Sequence, residues 1–179
     1  EHVAELAGRP GVTLLQCDLG DSATLERLVQ ACSDRSLVWD FFFSSVGTMT
    51  PIGPFFETDF DAWEHSVVLN TTAQLRALHM PHRFRRPEMA HVCFLAGGGT
   101  NGPFRNYSAY CVSKIALIKM CELLHDESPD LNVFIVGPGF MQTKIHDETL
   151  AAGPRAGEGL EKTKTFLQTP GTGFDDLYA

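Results

Sequence analysis

Apolar and polar positions along this chain keep switching between two rhythms. Residues 11–19, GVTLLQCDL, form a short apolar run closed by an acid, the pattern of a buried strand. Residues 22–34, SATLERLVQACSD, change to a helical period, with Leu25, Leu28, Val29 and Cys32 on one face and Ser22 as the expected N-cap. LVWDFFFSSVG (37–47) predicts a second strand, dense enough in aromatic and β-branched residues to be covered on both faces. TMTPIGPFFET (48–58) is broken up by proline and glycine and reads as a loop. DFDAWEHSVVLNTTAQLRALHM (59–80) predicts one long helix opened by an acidic turn. A third strand is expected over HVCFLAG (91–97), a second long helix over 106–125, and a fourth strand over LNVFIVGPG (131–139). The stretch TLAAGPRAGEGLEKTKTFLQTPGTGFDD that follows is richer in glycine, threonine and charge. It suits a mobile loop carrying one or two short helices.

Strands separated by helices imply right-handed crossovers. The expected fold is therefore α/β, a doubly wound parallel sheet in three α/β/α layers. Ligands of such sheets bind beyond the carboxyl ends of the strands. Ser44–Gly47, Ala96–Thr100 and Gly137–Thr143 each follow an apolar strand and should line one crevice. The helix at 106–125 is apolar nearly all round through VSKIALIKMCELL, so it should be buried on two sides. Nothing in the chain reads as a linker, and residues 1–179 are expected to form one domain, with 140–175 as a substrate loop within it.

Composition narrows the function. The net charge of −8 supplies no basic face for phosphates, so a nucleic-acid partner is not expected. The basic cluster Arg83, Arg85 and Arg86 sits in a proline-flanked stretch and reads as a solvated loop. No apolar run is long enough for a bilayer, no charged-then-apolar leader is read, and a cytoplasmic protein without a membrane partner is expected. The five cysteines show neither a CxxC nor a Cys/His ligand spacing. They read as reduced core residues, and no metal is expected.

The chemistry concentrates in CFLAGGGTNGPFRNYSAYCVSK (93–114). Tyr110 and Lys114 are four apart near a helix start and share a face. A tyrosine hydroxyl is a poor base at neutral pH, and a neighbouring ammonium favours the phenolate, making a usable general acid/base. The bland alternative is an aromatic at a helix N-terminus beside a solvated lysine. Taken with CDL (17–19), SSVG (44–47), VVLN (67–70) and VGPGFMQT (136–143), in this order and spacing, YSAYCVSK (107–114) resembles the short-chain dehydrogenase/reductase family. The resemblance runs from residue 11 to about 145.

That resemblance implies an NAD(P)-dependent oxidoreductase interconverting an alcohol and a carbonyl on a small-molecule substrate, with NAD or NADP as cofactor. It makes Tyr110 the acid/base and has Lys114 bind the nicotinamide ribose, with Asn70 holding a water of the proton relay. Asp18 and Leu19 would lie at the adenine, and Ser44, Ser45, Val46 and Gly47 would pass the adenine ribose. Pro138, Gly139 and Thr143 would wall the nicotinamide. The helix at 106–125 resembles the family's subunit-interface helix, which implies a homodimer or homotetramer. Structural readings stand beside these roles. Asp18 could only cap a helix, Asn70 could only satisfy backbone, Gly137–Gly139 could be only a turn, and Thr143 an N-cap. His146 and Glu148 read as surface residues.

Three departures from the family matter. The glycine-rich turn expected near the N-terminus is absent; residues 1–10 read as the tail of a helix and loop, and Tyr178-Ala179 falls inside a starting helix, as in a partial chain. The choice between NAD and NADP is then unreadable. SSVG stands where the family has Asn-Asn-Ala-Gly. The catalytic serine expected 12 to 14 residues before the tyrosine falls on Gly98, Gly97 and Ala96. Thr100, a glycine N–H or a water could replace that donor; otherwise activity is reduced or lost, as in a non-catalytic nucleotide-binding relative or partner subunit.

Overall fold

The structure, a computed structural model, describes residues 5–139 and 141–169. Three parallel strands lie side by side in chain order: β1 (Phe41–Ser44), β2 (Ala90–Leu95) and β3 (Leu131–Val136). Phe42 lies opposite Val92, Ser44 opposite Phe94, and Phe94 in turn opposite Ile135. The helices are α1 (Ser22–Asp34), α2 (Phe60–Asn70), α3 (Thr72–His79), α4 (Ser108–Glu127), α5 (Ile145–Ala152) and α6 (Glu158–Leu167). This is a Rossmann-like open parallel sheet with flanking helices, the α/β class expected, with three strands among the described residues.

That the two crossovers place their helices, α2–α3 and α4, on one face follows from the strand order. The β1–β2 and β2–β3 crossovers run the same way across the sheet, and right-handed crossovers then lie on the same side. On that side Val92, Phe94, Leu131 and Val133 pack against Leu78, Leu117 and Cys121 to form the core. The other side carries Phe41, Phe43, Phe134 and Val136, exposed by 53, 52, 37 and 38 %. Their rings still contact one another, Phe41 with Phe43 at 6.4 Å and Phe41 with Phe134 at 6.5 Å between centroids.

The strand expected at 11–19 does not form. That segment has no regular structure and pairs with no described strand, and Val12, Leu14 and Leu15 stay 41–45 % exposed. A strand is made by its partner's hydrogen bonds, so apolar character alone cannot produce one. Helix α1 is capped by Asp21, whose side chain accepts from Ala23 N at 2.9 Å, rather than by Ser22, its first helical residue. The strand expected over 37–47 contracts to Phe41–Ser44, with Trp39 making one isolated bridge to Arg85.

The helix expected over 59–80 breaks at Thr71, whose backbone sits at φ −126°, ψ −84°. Two adjacent threonines cause the break. Thr71 Oγ1 donates to Val67 O and Thr72 Oγ1 to Val68 O at 3.2 Å, while Gln74 Nε2 takes the Asn70 carbonyl at 2.7 Å. Such back-bonding competes with the helix ladder and bends it. Helix α2 packs along α4, but α3 diverges from it. A cavity of about 530 Å³ opens there, lined by Leu75, Leu78, Met120, Leu124 and Leu131 with Arg76, His79 and His82. Strand β2 and helix α4 form close to their expected places, whereas β3 ends at Val136, three residues short. The outer side of α4 exposes Val112, Ile115 and Leu123 by 42–50 %. After β3 come α5, a 3₁₀ turn at Gly153–Ala156, and α6, which are the two short helices expected there. The readings at Glu1–Ala4, at Phe140 and at 170–179, which include the end of the expected substrate loop, lie outside the described residues.

Candidate active site

Tyr110 and Lys114 occupy the first two turns of α4 and are 6 % and 3 % exposed. The apolar character of α4 brings its inner face onto β2 and β3, which carries both polar tips into the molecule. Lys114 Nζ donates to the Leu95 carbonyl at 2.9 Å, where β2 ends, and lies 5.6 Å from the centre of the Tyr110 ring. Burial pulls the ammonium down to about 8. Burial also pushes the phenol up to about 12, with the negative charges of Cys111 and Glu148 adding to the effect. The lowering expected from Lys114 is not found: desolvation of the phenolate dominates, and Tyr110 is protonated at neutral pH.

Asn70, fully buried at the end of α2, holds the turn after β1. Its Oδ1 accepts from Thr48 N at 2.9 Å, and its Nδ2 donates to Thr48 O at 2.8 Å and to Ser66 Oγ at 3.3 Å. This is the backbone-satisfying role considered from the sequence. A side-chain carbon placed on Gly47 would lie 3.5 Å from Asn70 Oδ1 and 3.8 Å from Lys114 Nζ. Gly47, Asn70 and Lys114 therefore share one cluster. Ser44 points elsewhere, its Oγ donating to Gln74 Oε1 in the core at 2.6 Å. Ser45 is exposed and Val46 half-buried.

The missing serine has a geometric counterpart. A side-chain carbon on Gly97 would overlap the Tyr110 hydroxyl and lie 2.5 Å from its Cζ and 2.7 Å from its Cε1. The tyrosine ring thus rests on the bare Gly97 Cα, in the space a serine would fill. Thr100 Oγ1 donates to the Gly97 carbonyl at 3.3 Å, so that hydroxyl belongs to the glycine turn. Among the described residues the Tyr110 hydroxyl has no hydrogen-bond partner.

The remaining candidates are more scattered. Pro138 and Gly139 follow β3 at the same carboxyl edge of the sheet, Gly139 at φ +73°. Thr143 is not the N-cap of α5; that position falls to Lys144, and the Thr143 carbonyl accepts from His146 N at 3.1 Å. Asp18 and Leu19 lie in a turn where Asp18 Oδ1 accepts from Gly20 N at 2.8 Å, and no hydrogen bond joins that turn to Tyr110 or Lys114. Of the five cysteines only Cys93 and Cys121 are buried, and all five are free thiols. Neither the cavity beside α3 nor one of about 160 Å³ beside Thr48 and His65 is lined by Tyr110 or Lys114.

Two residues read as surface are not. His146 is 6 % exposed, donates from Nε2 to the Met141 carbonyl at 2.9 Å, and lies 5.3 Å from the Phe166 ring. Glu148 is half-buried and accepts from Met49 N at 2.5 Å and Thr50 N at 3.2 Å. Arg155 and Tyr107 also escaped the sequence reading. Arg155 donates to the carbonyls of Ile52 at 3.2 Å and Glu57 at 3.1 Å, and Tyr107 to Thr149 Oγ1 at 3.1 Å. The available signal was the helical spacing of Ile145, Glu148 and Thr149, which puts all three on the inner face of α5.

A parallel sheet with a buried Tyr/Lys pair at the carboxyl end of its central strand defines the class as a Rossmann-like α/β domain. Residues 1–167 match a family model described as enoyl-(acyl carrier protein) reductase, and the chain belongs to the short-chain dehydrogenase/reductase family. It is 23 % identical over 163 residues to benzil reductase ((S)-benzoin forming) of Saccharomyces cerevisiae, covering 85 % of this chain and 62 % of that one. It therefore spans less than two thirds of that relative's length. Among solved structures it is similar to the KRED1-Pglu enzyme, with a TM-score of 0.84, 19 % identity, and coverage of 93 % of this chain and 70 % of that one. Thermoplasma acidophilum aldohexose dehydrogenase shares the fold at a TM-score of 0.71 and 17 % identity, with coverage of 87 % and 62 %. No helix among the described residues is long and apolar enough to cross a membrane.

Proposed function

We propose that this chain forms the catalytic part of an NAD(P)-dependent oxidoreductase that interconverts an alcohol and a carbonyl. The buried Tyr110–Lys114 pair at the end of β2, with Gly47 and Asn70 beside it, is the observation that carries the reading. Lys114 Nζ is desolvated yet makes one hydrogen bond to a described residue, so its remaining N–H groups fit the hydroxyls of a cofactor ribose. When bound, the nicotinamide cofactor supplies the hydride chemistry. Tyr110, protonated at neutral pH, gives its hydroxyl proton to the substrate oxygen in carbonyl reduction and takes it back in alcohol oxidation. With its proton affinity raised, Tyr110 is present as the phenol, the form that reduction starts from, and the name of the yeast relative, a reductase, supports that direction. Gly47 keeps the turn after β1 close to Lys114, and Ser44–Val46 lead into it. Pro138, Gly139 and Thr143 wall the nicotinamide side, and Asp18 and Leu19 the adenine side. Asn70 acts by fixing Thr48.

Residues 140–175 serve as the substrate loop of a single domain spanning 1–179. The exposed apolar side of α4 pairs with a second copy to give a homodimer or homotetramer in the cytoplasm. Sedimentation at micromolar concentration should show that oligomer, and a monomer would overturn the pairing. Cofactor titration with NADH and NADPH, followed by a panel of carbonyl and alcohol substrates, tests the activity. Tyr110→Phe should abolish turnover while keeping cofactor affinity; turnover unchanged by it would sink the enzyme reading. A second reading, a catalytically impaired or non-catalytic nucleotide-binding relative, is favoured by the absence of a free hydroxyl at 96–100. Cofactor binding without turnover on any substrate would select it.

A further inference from the structure

We propose that Glu148 is a positioning residue of this site: its carboxylate clasps the Thr48–Thr50 turn to helix α5 and so sets Gly47 against Lys114. The catalytic consequence rests on the oxidoreductase reading; the clasp itself does not. Glu148 lies about one turn into α5, and its carboxylate reaches back across roughly a hundred residues of chain. Oε2 accepts from Met49 N at 2.5 Å, from Thr50 N at 3.2 Å and from Thr48 Oγ1 at 3.0 Å; Oε1 also accepts from Thr48 Oγ1, at 3.1 Å. Bonds from backbone N–H to an ionised carboxylate are about twice as strong as neutral ones. Asn70 grips the same Thr48 from α2 through both its N–H and its carbonyl. Thr48 is thus held by two elements, and Gly47, its neighbour, has little freedom to leave Lys114. Ile145, one turn before Glu148, completes the contact, its Cδ1 being 3.9 Å from a side-chain carbon placed on Gly47.

The arrangement differs from a general lid latch. Tyr107 to Thr149, Asn106 to the Arg155 carbonyl, and Arg155 to Ile52 and Glu57 also fasten the segment after β3. Those bonds hold α5 in place if Glu148 is removed, so its loss should free only the turn. Glu148 also brings a negative charge near Tyr110, where Lys114 and Cys111 are the other ionisable groups facing the phenol. Its charge adds to the effect of burial in raising the phenol's proton affinity, which couples the turn to the proton donor.

Hydrogen exchange tests the clasp without any substrate. In Glu148→Ala the amides of Met49 and Thr50 should exchange about tenfold faster or more, while those of β2 keep their protection. Glu148→Gln has the same reach and one accepting oxygen, so it should restore most of that protection. Unchanged exchange at 49 and 50 in Glu148→Ala, or acceleration spread equally over β2, overturns the proposal. The pH profile of turnover separates positioning from mere support. Both variants should move the limb that reports Tyr110 to lower pH, and Glu148→Gln should do so with its turn intact. A profile identical to wild type in both variants overturns the positioning role. Faster exchange in Glu148→Ala with no turnover even in wild type would uphold the clasp and defeat the oxidoreductase reading instead.

Discussion

Adding one carbon to Gly97 tests how Tyr110 is held. In Gly97→Ala the new methyl would sit 2.5 Å from Tyr110 Cζ and 2.7 Å from Cε1 and would overlap the hydroxyl. Carbon atoms pack at about 3.5–4.0 Å, so the ring must withdraw by roughly 1 Å. Tyr110 is 6 % exposed and packs with Met49, Ile52 and Tyr107, so it cannot withdraw freely. Forced overpacking of this kind costs about 1–3 kcal/mol, which lowers Tm by roughly 2–12 °C in a domain of this size. A reacting group displaced by about 1 Å loses on the order of a hundredfold in rate. Gly97→Ser carries the same methylene, so restoring the family's hydroxyl should lower turnover rather than raise it. Gly98→Ala is the control: its new carbon would meet Phe104 at 3.4 Å, an ordinary contact, and stability should stay within about 0.5 kcal/mol. Thermal unfolding and turnover of the three variants decide the matter. Gly97→Ser with an unchanged Tm and increased turnover would refute the claim that Tyr110 occupies the serine's space.

Lys114→Met should abolish turnover yet stabilise the fold at pH 7. The folded ammonium has its pKa lowered from 10.5 to about 8, so its burial penalty is complete below pH 8 and fades as pH rises through the ordinary lysine value. The gain at pH 7 is on the order of 3 kcal/mol, less about 1 for the bond to Leu95, and urea titrations should show it shrinking between pH 8 and 10. Asn70→Ala strips both Thr48 backbone groups of their partner and should cost about 2–4 kcal/mol by urea unfolding. Ser44→Ala leaves the buried Gln74 Oε1 without its donor and should cost about 1–3 kcal/mol by the same measure. An unchanged midpoint in either variant would contradict the hydrogen bonds described.

Some of this was legible in the chain and some was not. Helix α4 announced itself through an uninterrupted apolar pattern, and Tyr110 and Lys114 had to share its face because a helix places i and i+4 together. The sequence could not say which way that face pointed, or that burial would set the phenol's proton affinity. Helix α2–α3 read as one element because its hydrophobic period continues through the Thr71-Thr72 pair; the break depends on hydroxyls reaching carbonyls a turn back. Glu148 and His146 looked solvated because charge and polarity mark a surface on average; the approach of the 48–50 turn half-buries Glu148, and Met141 and Phe166 cover His146.

What the sequence determined by itself was periodicity and order: the strand–helix alternation, hence a parallel sheet, and five spaced segments that together point to one family. Local stereochemistry suffices for that, since a rise and a period belong to each segment alone. The tertiary structure decided pairing and burial. Residues 11–19 have strand character but no ladder, because hydrogen bonds between strands need a second edge. Gly97 is where a serine was expected, and its meaning came from the Tyr110 ring lying against its Cα. Contacts of that kind join residues far apart in the chain, and their energies depend on distances that only the folded chain sets.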